Sequence, residues 1–301
     1  MTIEGSKILV TGATSQVGLP VVRALASAGN NEVHGLARLK KAEDRQRLEE
    51  MGVVAIPVDL ASDDLSAVAE DYDYVIHLAI VKSGNFDYDM AANVEGLGRL
   101  MHRCRNARAF LHGSSAAVYD YTGSDAIRED APLGDNHRAL FPTYSICKIA
   151  AESMARFAAL QWQLPTIIAR FSVPYGDAGG WPCFHLAMMQ AGMAIPVYPD
   201  RPNHYNLLHE QDYIAQLPSL LNAAAVPAVT VNWGGERASL EEWCTYLAEL
   251  AGLEARFEET TNTIPPLPVD TSRMREITGE CTVGWREGMR RIVAQARGEN
   301  G

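Results

Sequence analysis

Through the first 170 or so residues, short apolar runs alternate with longer stretches whose apolar positions recur every three or four residues. The runs 7–11 (KILVT), 33–37 (VHGLA), 53–58 (VVAIPV), 73–79 (DYVIHLA), 109–114 (AFLHGS) and 165–171 (PTIIARF) predict strands. Their near-continuous apolar character suits a parallel sheet covered on both faces. The stretches 17–28, 41–51, 63–70, 87–106 and 143–162 predict helices; in the first, Val17, Val21, Val22, Leu25 and Ala28 fall on one face. This rhythm predicts an α/β fold with a doubly wound parallel sheet. It breaks near residue 172. Segment 174–206 carries five prolines, glycines 176, 179 and 180, and the large apolar residues Trp181, Phe184, Met188, Met189 and Met193. A further strand is expected at 229–233 (VTVNW), with helices at 239–251 and 285–297 and a polar connector at 258–271. Residues 1–171 are therefore expected to form the sheet domain, with 229–233 rejoining it, and 172–301 to form mostly a smaller C-terminal substrate lobe.

Composition narrows the function. A net charge of −11 over 301 residues argues against a nucleic-acid surface, which needs clustered Lys and Arg. The five cysteines are scattered without a CxxC pair, which suits a reducing cytosol and neither a disulfide scaffold nor zinc. Residues 1–6 are polar, unlike a secretion signal, and no apolar run approaches a membrane span. No HxxxH or HExxH spacing occurs, so no metal is expected. Together these features predict a cytoplasmic protein acting on a small molecule, without nucleic-acid or membrane partners.

The chemistry begins at "TGATSQVG", residues 11–18, between a strand and an amphipathic helix. Such a loop can cradle a dinucleotide pyrophosphate at the helix N-terminus. Gly12 would make the tight turn and Gly18 would let the helix pack on the sheet, with Thr14, Ser15, Gln16 and Val17 between them. Ser15 occupies the usual middle-glycine position, and its hydroxyl could donate to a phosphate oxygen. At the end of the second strand pattern, Ala37 stands where an acidic residue would bind the ribose of NAD, and Arg38, Lys40 and Lys41 follow. A missing carboxylate beside a guanidinium suits the 2′-phosphate of NADP(H), which is expected to bind in preference to NAD(H). Asp59, next to Leu60, could accept from the adenine amino group. In "YSICK", Tyr144 and Lys148 share one helix face. An ammonium lowers the pKa of a nearby phenol, and the pair can move a proton at a carbonyl or alcohol oxygen.

Taken in order, "TGATSQVG", Asp59-Leu60, "HLA" at 77–79, "NVEG" at 93–96, "SSAAVY" at 114–119, "YSICK", "RFSVPYG" at 170–176 and "LLHEQD" at 207–212 resemble the extended short-chain dehydrogenase/reductase family, of the NAD-dependent epimerase/dehydratase type. The resemblance covers nearly the whole chain. It implies a Rossmann-type dinucleotide-binding domain, Ser115 as catalytic serine, Tyr144 as general acid/base, and Lys148 on the nicotinamide ribose. It further implies that Asn93 braces the central helix, that His77, Leu78 and Ala79 line the cofactor, that Ser114 is support, and that the chain forms a homodimer through two helices per subunit. Four positions depart from the pattern: Ser15, Asp120 for a glycine, Val173 for the asparagine that meets a nucleotide diphosphate, and Asp177 for a proline. Only Arg201, Asn203 and His204 stand near as replacement diphosphate donors, and Ala116 and Ala117 replace a dehydratase's acidic pair.

The leading expectation is accordingly an NADP(H)-preferring oxidoreductase that interconverts a secondary alcohol and ketone of a small, fairly apolar molecule lodged against Ser115, Trp181, Phe184 and Met188. A nucleotide-sugar epimerase or dehydratase with a transient redox step is the first alternative, and a non-catalytic NADP sensor the second.

Overall fold

The computed structural model describes residues 3–121, 123, 125–177 and 179–298. Residues 1 and 2 of the polar start, and residue 178 of segment 174–206, lie outside the described residues. In chain order the elements are β1 (Lys7–Thr11), α1 (Gly18–Ser27), β2 (Glu32–Ala37), α2 (Ala42–Glu50), β3 (Val54–Pro57), β4 (Tyr74–His77), α3 (Phe86–Met90), a π-helical turn (Ala91–Glu95), α4 (Gly96–Arg103), β5 (Ala109–Ser115), α5 (Tyr144–Trp162) and β6 (Thr166–Phe171). They continue through β7 (Val173–Tyr175), α6 (Trp181–Gln190), β8 (Ile195–Val197), β9 (His204–His209), α7 (Glu210–Asn222), β10 (Val229–Trp233), β11 (Glu236–Ser239), α8 (Leu240–Ala251), β12 (Phe257–Glu259), α9 (Ser272–Thr278) and α10 (Trp285–Arg297).

The large sheet runs β10-β6-β5-β4-β1-β2-β3. The pairs β1–β2, β2–β3, β1–β4 and β4–β5 are parallel. This is the expected doubly wound α/β sheet. From β1 the chain winds outward through β2 and β3, then returns to β4 on the other side, so strand order reverses between β1 and β4. The loops leaving those two strands face a crevice at that switch point, where ligands bind in such sheets. Beneath it, Leu9, Val75, Phe110, Leu97, Leu100, Met101 and Ala155 belong to one buried cluster.

The chain divides into two compact units, each assembled from three segments. One comprises residues 1–115, 143–170 and 216–231, the other 116–142, 171–215 and 232–301. The second unit holds a three-stranded sheet ordered β11-β9-β7, with β7 parallel and β11 antiparallel to β9. Its helix α8 begins with a full capping box: the Ser239 hydroxyl accepts from Glu242 N, and the Glu242 carboxylate accepts from Ser239 N.

Several expectations need correction. Residues 63–70 form turns and not a helix, because short side chains capture local amides: Asp63 accepts from Asp59 N and Asp64 from Ser66 N. The stretch 87–106 is no single regular helix but α3, the π turn and α4. The proline-rich segment 174–206 contains α6, whose Pro182 lies in the first turn, where its missing N–H costs nothing.

Helix α5 is anchored by a buried carboxylate. Glu152 Oε1 accepts from Ser114 Oγ at 2.6 Å and from Arg170 Nε at 2.8 Å, and its Oε2 accepts from Arg170 Nη2 at 2.6 Å. Glu152 and Arg170 are 2% and 1% exposed. Removing one partner of such a pair strands a buried charge, so Glu152→Ala is expected to cost about 3–5 kcal/mol. Replacing both, as Glu152→Leu with Arg170→Met, should cost less than the single change. Urea unfolding of the wild type and the two variants measures this.

Candidate active site

Helix α5 presents a polar row at four-residue spacing toward the sheet. Tyr144, in its first turn, shares a side-chain hydrogen bond with Ser115 at the carboxyl end of β5. Lys148 Nζ donates to Gly113 O at 2.5 Å, and Glu152 holds Ser114 and Arg170 as described. The sequence-predicted trio Ser115, Tyr144 and Lys148 is thus brought together near the start of α5, while Ser114 turns to Glu152.

Burial governs the electrostatics. It pushes the Tyr144 phenol above its ordinary value, while the Ser115 hydrogen bond pulls the other way. Burial lowers Lys148 from 10.5 to about 8, although the Glu152 charge opposes the shift. The ammonium points at the Gly113 carbonyl, and the expected lowering of the phenol by Lys148 is not seen. Beneath them His77 and His112 stack at 5.5 Å, both driven neutral by burial first and by Lys148 second.

The glycine loop has the geometry its sequence implies. Gly12 has φ +69°, and a Cβ there would lie 2.8 Å from Ala79 N. A Cβ on Gly18 would lie only 2.2 Å from Gly12 O. Ser15 Oγ accepts from Gly18 N at 3.0 Å, so the serine that replaces the middle glycine steadies the first turn of α1 and still has its proton to donate. A cleft of about 390 Å³ opens beside the loop. It gathers Gly12, Thr14, Ser15, Arg38, Asp59, Leu60, Ala79 and Asn93 from the predicted set, together with Lys40, Lys41 and Asp44. Gln16, Val17, Gly18 and Leu78 adjoin it without forming its wall. Asn93 grips the loop after β4, accepting from Val81 N at 2.8 Å and donating to Val81 O at 2.7 Å.

Tyr88 is a residue that sequence reasoning missed. Its hydroxyl donates to Asp59 Oδ2 at 2.6 Å and accepts from Arg38 Nη1 at 3.5 Å, joining the two residues expected to meet adenine and 2′-phosphate. Burial raises the Asp59 pKa, but the Tyr88 hydrogen bond leads the opposing effects and leaves it below the usual carboxylate range. Between Arg38 and Lys40 the backbone passes through Leu39 at φ +44°, a conformation uncommon outside glycine.

In the second unit, Trp181 meets the Tyr205 ring edge-on at 5.3 Å, Phe184 is 64% exposed, and Met188 is buried. Arg201 pairs with Glu241 at 2.9 Å and Glu259 at 3.6 Å, and Asn203 bonds both backbone groups of Tyr198.

A family model described as NAD dependent epimerase/dehydratase matches residues 8–232. The chain belongs to that family. No curated protein matches it in sequence. Among solved structures, a UDP-glucuronic acid 4-epimerase from Bacillus cereus in complex with NAD has a TM-score of 0.81 at 21% identity, over 98% of this chain and 98% of that one. A UDP-N-acetylglucosamine 4-epimerase from Methanobrevibacter ruminantium M1 gives 0.82 at 18% identity, over 99% and 100%. A dTDP-glucose 4,6-dehydratase from Streptomyces venezuelae, with NAD bound, gives 0.81 at 20%, over 97% of each. At these identities the likeness is one of fold. Among the described residues no helix is long and apolar enough to cross a membrane.

The lowered Lys148 pKa yields a stability prediction. Below about pH 8 the folded protein carries the full penalty of this buried ammonium; between 8 and 10.5 the folded state releases the proton while the unfolded chain keeps it, and the penalty fades. Lys148→Met should therefore melt at or above the wild-type temperature at pH 7, with its advantage shrinking as pH rises toward 10. Thermal unfolding across pH 6–10 checks the sign.

Proposed function

We propose that the protein binds NAD(P) in the cleft beside the glycine loop and uses Tyr144 to move the proton of a secondary alcohol while hydride passes between that carbon and the nicotinamide. The observation that carries this reading is the hydrogen-bonded Ser115–Tyr144 pair with Lys148 one turn further along the same helix. The bound cofactor supplies the hydride chemistry. The chain's own part is to hold the substrate oxygen between the Ser115 and Tyr144 hydroxyls and to place an ammonium beside the ribose.

What becomes of the hydride separates two readings. Family membership and the nucleotide-sugar epimerases and dehydratases among the fold neighbours favour its return to the same substrate, and that reading ranks ahead of the net oxidoreductase expected above. Net oxidation or reduction of an apolar compound keeps support from Val173 and from the engagement of Arg201 with Glu241 and Glu259, which occupies one candidate diphosphate donor. The NADP(H) preference rests on Arg38, Lys40 and Lys41 beside the cleft and on the absence of a carboxylate at Ala37. A homodimer through α4 and α5 agrees with exposed Phe157 and Leu160 on α5.

Two measurements test this. In fluorescence titrations, Arg38→Ala should weaken NADPH by about 1.5–3 kcal/mol and spare NADH; equal wild-type affinities for the two would remove the preference. UDP-glucuronic acid, UDP-glucose and a panel of hydrophobic ketones and alcohols should then be followed at 340 nm and by product analysis. Redox-neutral conversion selects the epimerase reading and net absorbance change the oxidoreductase. In either case Tyr144→Phe should lose about 10²- to 10⁴-fold in turnover, and a variant with normal turnover would remove the acid/base assignment.

A further inference from the structure

Asp89 is a fully buried carboxylate in α3 that meets the loop after β4 and the start of α5. Its Oδ1 accepts from Ser83 N at 3.1 Å and Ser83 Oγ at 2.6 Å, and its Oδ2 from Gly84 N at 3.1 Å and Thr143 Oγ1 at 2.6 Å. Burial pushes this carboxyl up, but the donations from Ser83, Thr143 and Gly84 outweigh it and hold it ionised below its ordinary value.

Thr143 is the N-cap residue of α5 and directly precedes Tyr144. A threonine there ordinarily turns its hydroxyl back to cap its own helix, a contribution of about 1 kcal/mol. Here no such cap forms, and the hydroxyl goes to Asp89 instead. Local helix stability is given up for a fixed position of the first turn, a departure of the kind that marks functional sites. The other end of the clamp holds a loop: Asn93 grips Val81 and Asp89 grips Ser83, so Lys82 sits between two anchored neighbours. Its ammonium lies 5.8 Å from the centroid of the Tyr144 ring.

We infer that Asp89 is a positioning residue for Tyr144, holding through Thr143 the helix turn from which the phenol projects and through Ser83 the loop that sets Lys82 over its ring. The inference rests on the reading of Tyr144 as the acid/base, and its test reports geometry independently of turnover. Protein labelled with ¹³C at the tyrosine ring is compared at pH 7.5 with and without NAD, the Tyr144 signals being assigned from Tyr144→Phe. Thr143→Val, which removes one donor without changing charge, should shift the Tyr144 ring signals, and Thr143→Ser should restore them. Asp89→Asn should shift them too, and the Asp89→Asn/Thr143→Val double variant should shift them by less than the sum of the two single changes. Lys82→Met should shift the same signals while leaving the melting temperature near wild type. A lowered melting temperature with unmoved Tyr144 signals in Thr143→Val and Asp89→Asn would make Asp89 scaffold only and overturn the proposal. Normal turnover by Tyr144→Phe would instead remove the acid/base reading.

Discussion

The site depends on one buried contact, the grip of Glu152 on Ser114 and Arg170. Ser114 lies in β5 next to Ser115, Arg170 lies in β6, and Glu152 sits two turns along α5 from Tyr144. The pair of charges fixes how far α5 stands from the sheet and how it is rotated. The polar row Tyr144, Lys148, Glu152 and Arg156 then meets, in turn, Ser115, Gly113 O, Ser114 with Arg170, and Thr230. A slip of α5 by one residue would turn this row away from the sheet, since successive residues differ by about 100° around a helix. The buried pair is thus weak evidence of stability, and its bonds to β5 and β6 tie α5 to one register against the sheet.

The cleft beside the glycine loop depends on a different constraint, the close approach of two loops at the switch point. A Cβ on Gly12 would strike the backbone at Ala79, and Thr11 Oγ1 ties the same strand ends together through His77 Nδ1 at 2.8 Å and Ala79 N at 3.2 Å. One wall of the cleft therefore comes from strand ends, while the side at Arg38 and Asp59 comes from the β2 turn and is braced by Tyr88.

Much of this is legible in the sequence, for physical reasons. Buried parallel strands leave continuous apolar runs, and β1 and β10 match their predicted bounds because residues on both faces are covered. The placement of Gly12, Gly18, Tyr144 and Lys148 is readable because a tight turn, a close helix–strand approach and a shared helix face are set by local spacing. The contacts of Tyr88 with Asp59 and of Asp89 with Thr143 are not, because those partners lie 29 and 54 residues away and no local pattern records such a contact. Helix α6 is hidden behind Pro182, whose helix-starting role looks like a break in composition. Residues 63–70 mislead in the opposite sense, since Asp63 and Asp64 take up the nearby amides of Asp59 and Ser66 in local turns.

Everything proposed for the site turns on where the nicotinamide lies relative to Tyr144. A crystal structure of the protein grown with NADH tests this most directly. The expected result is adenosine against Asp59 and the β2 turn, pyrophosphate at the N-terminus of α1, and the nicotinamide ring facing the Ser115 and Tyr144 hydroxyls with room between them for a substrate carbon to approach within about 3–3.5 Å of the ring. Dinucleotide density outside the Gly12 cleft, or a nicotinamide directed away from the Tyr144 hydroxyl, would contradict it.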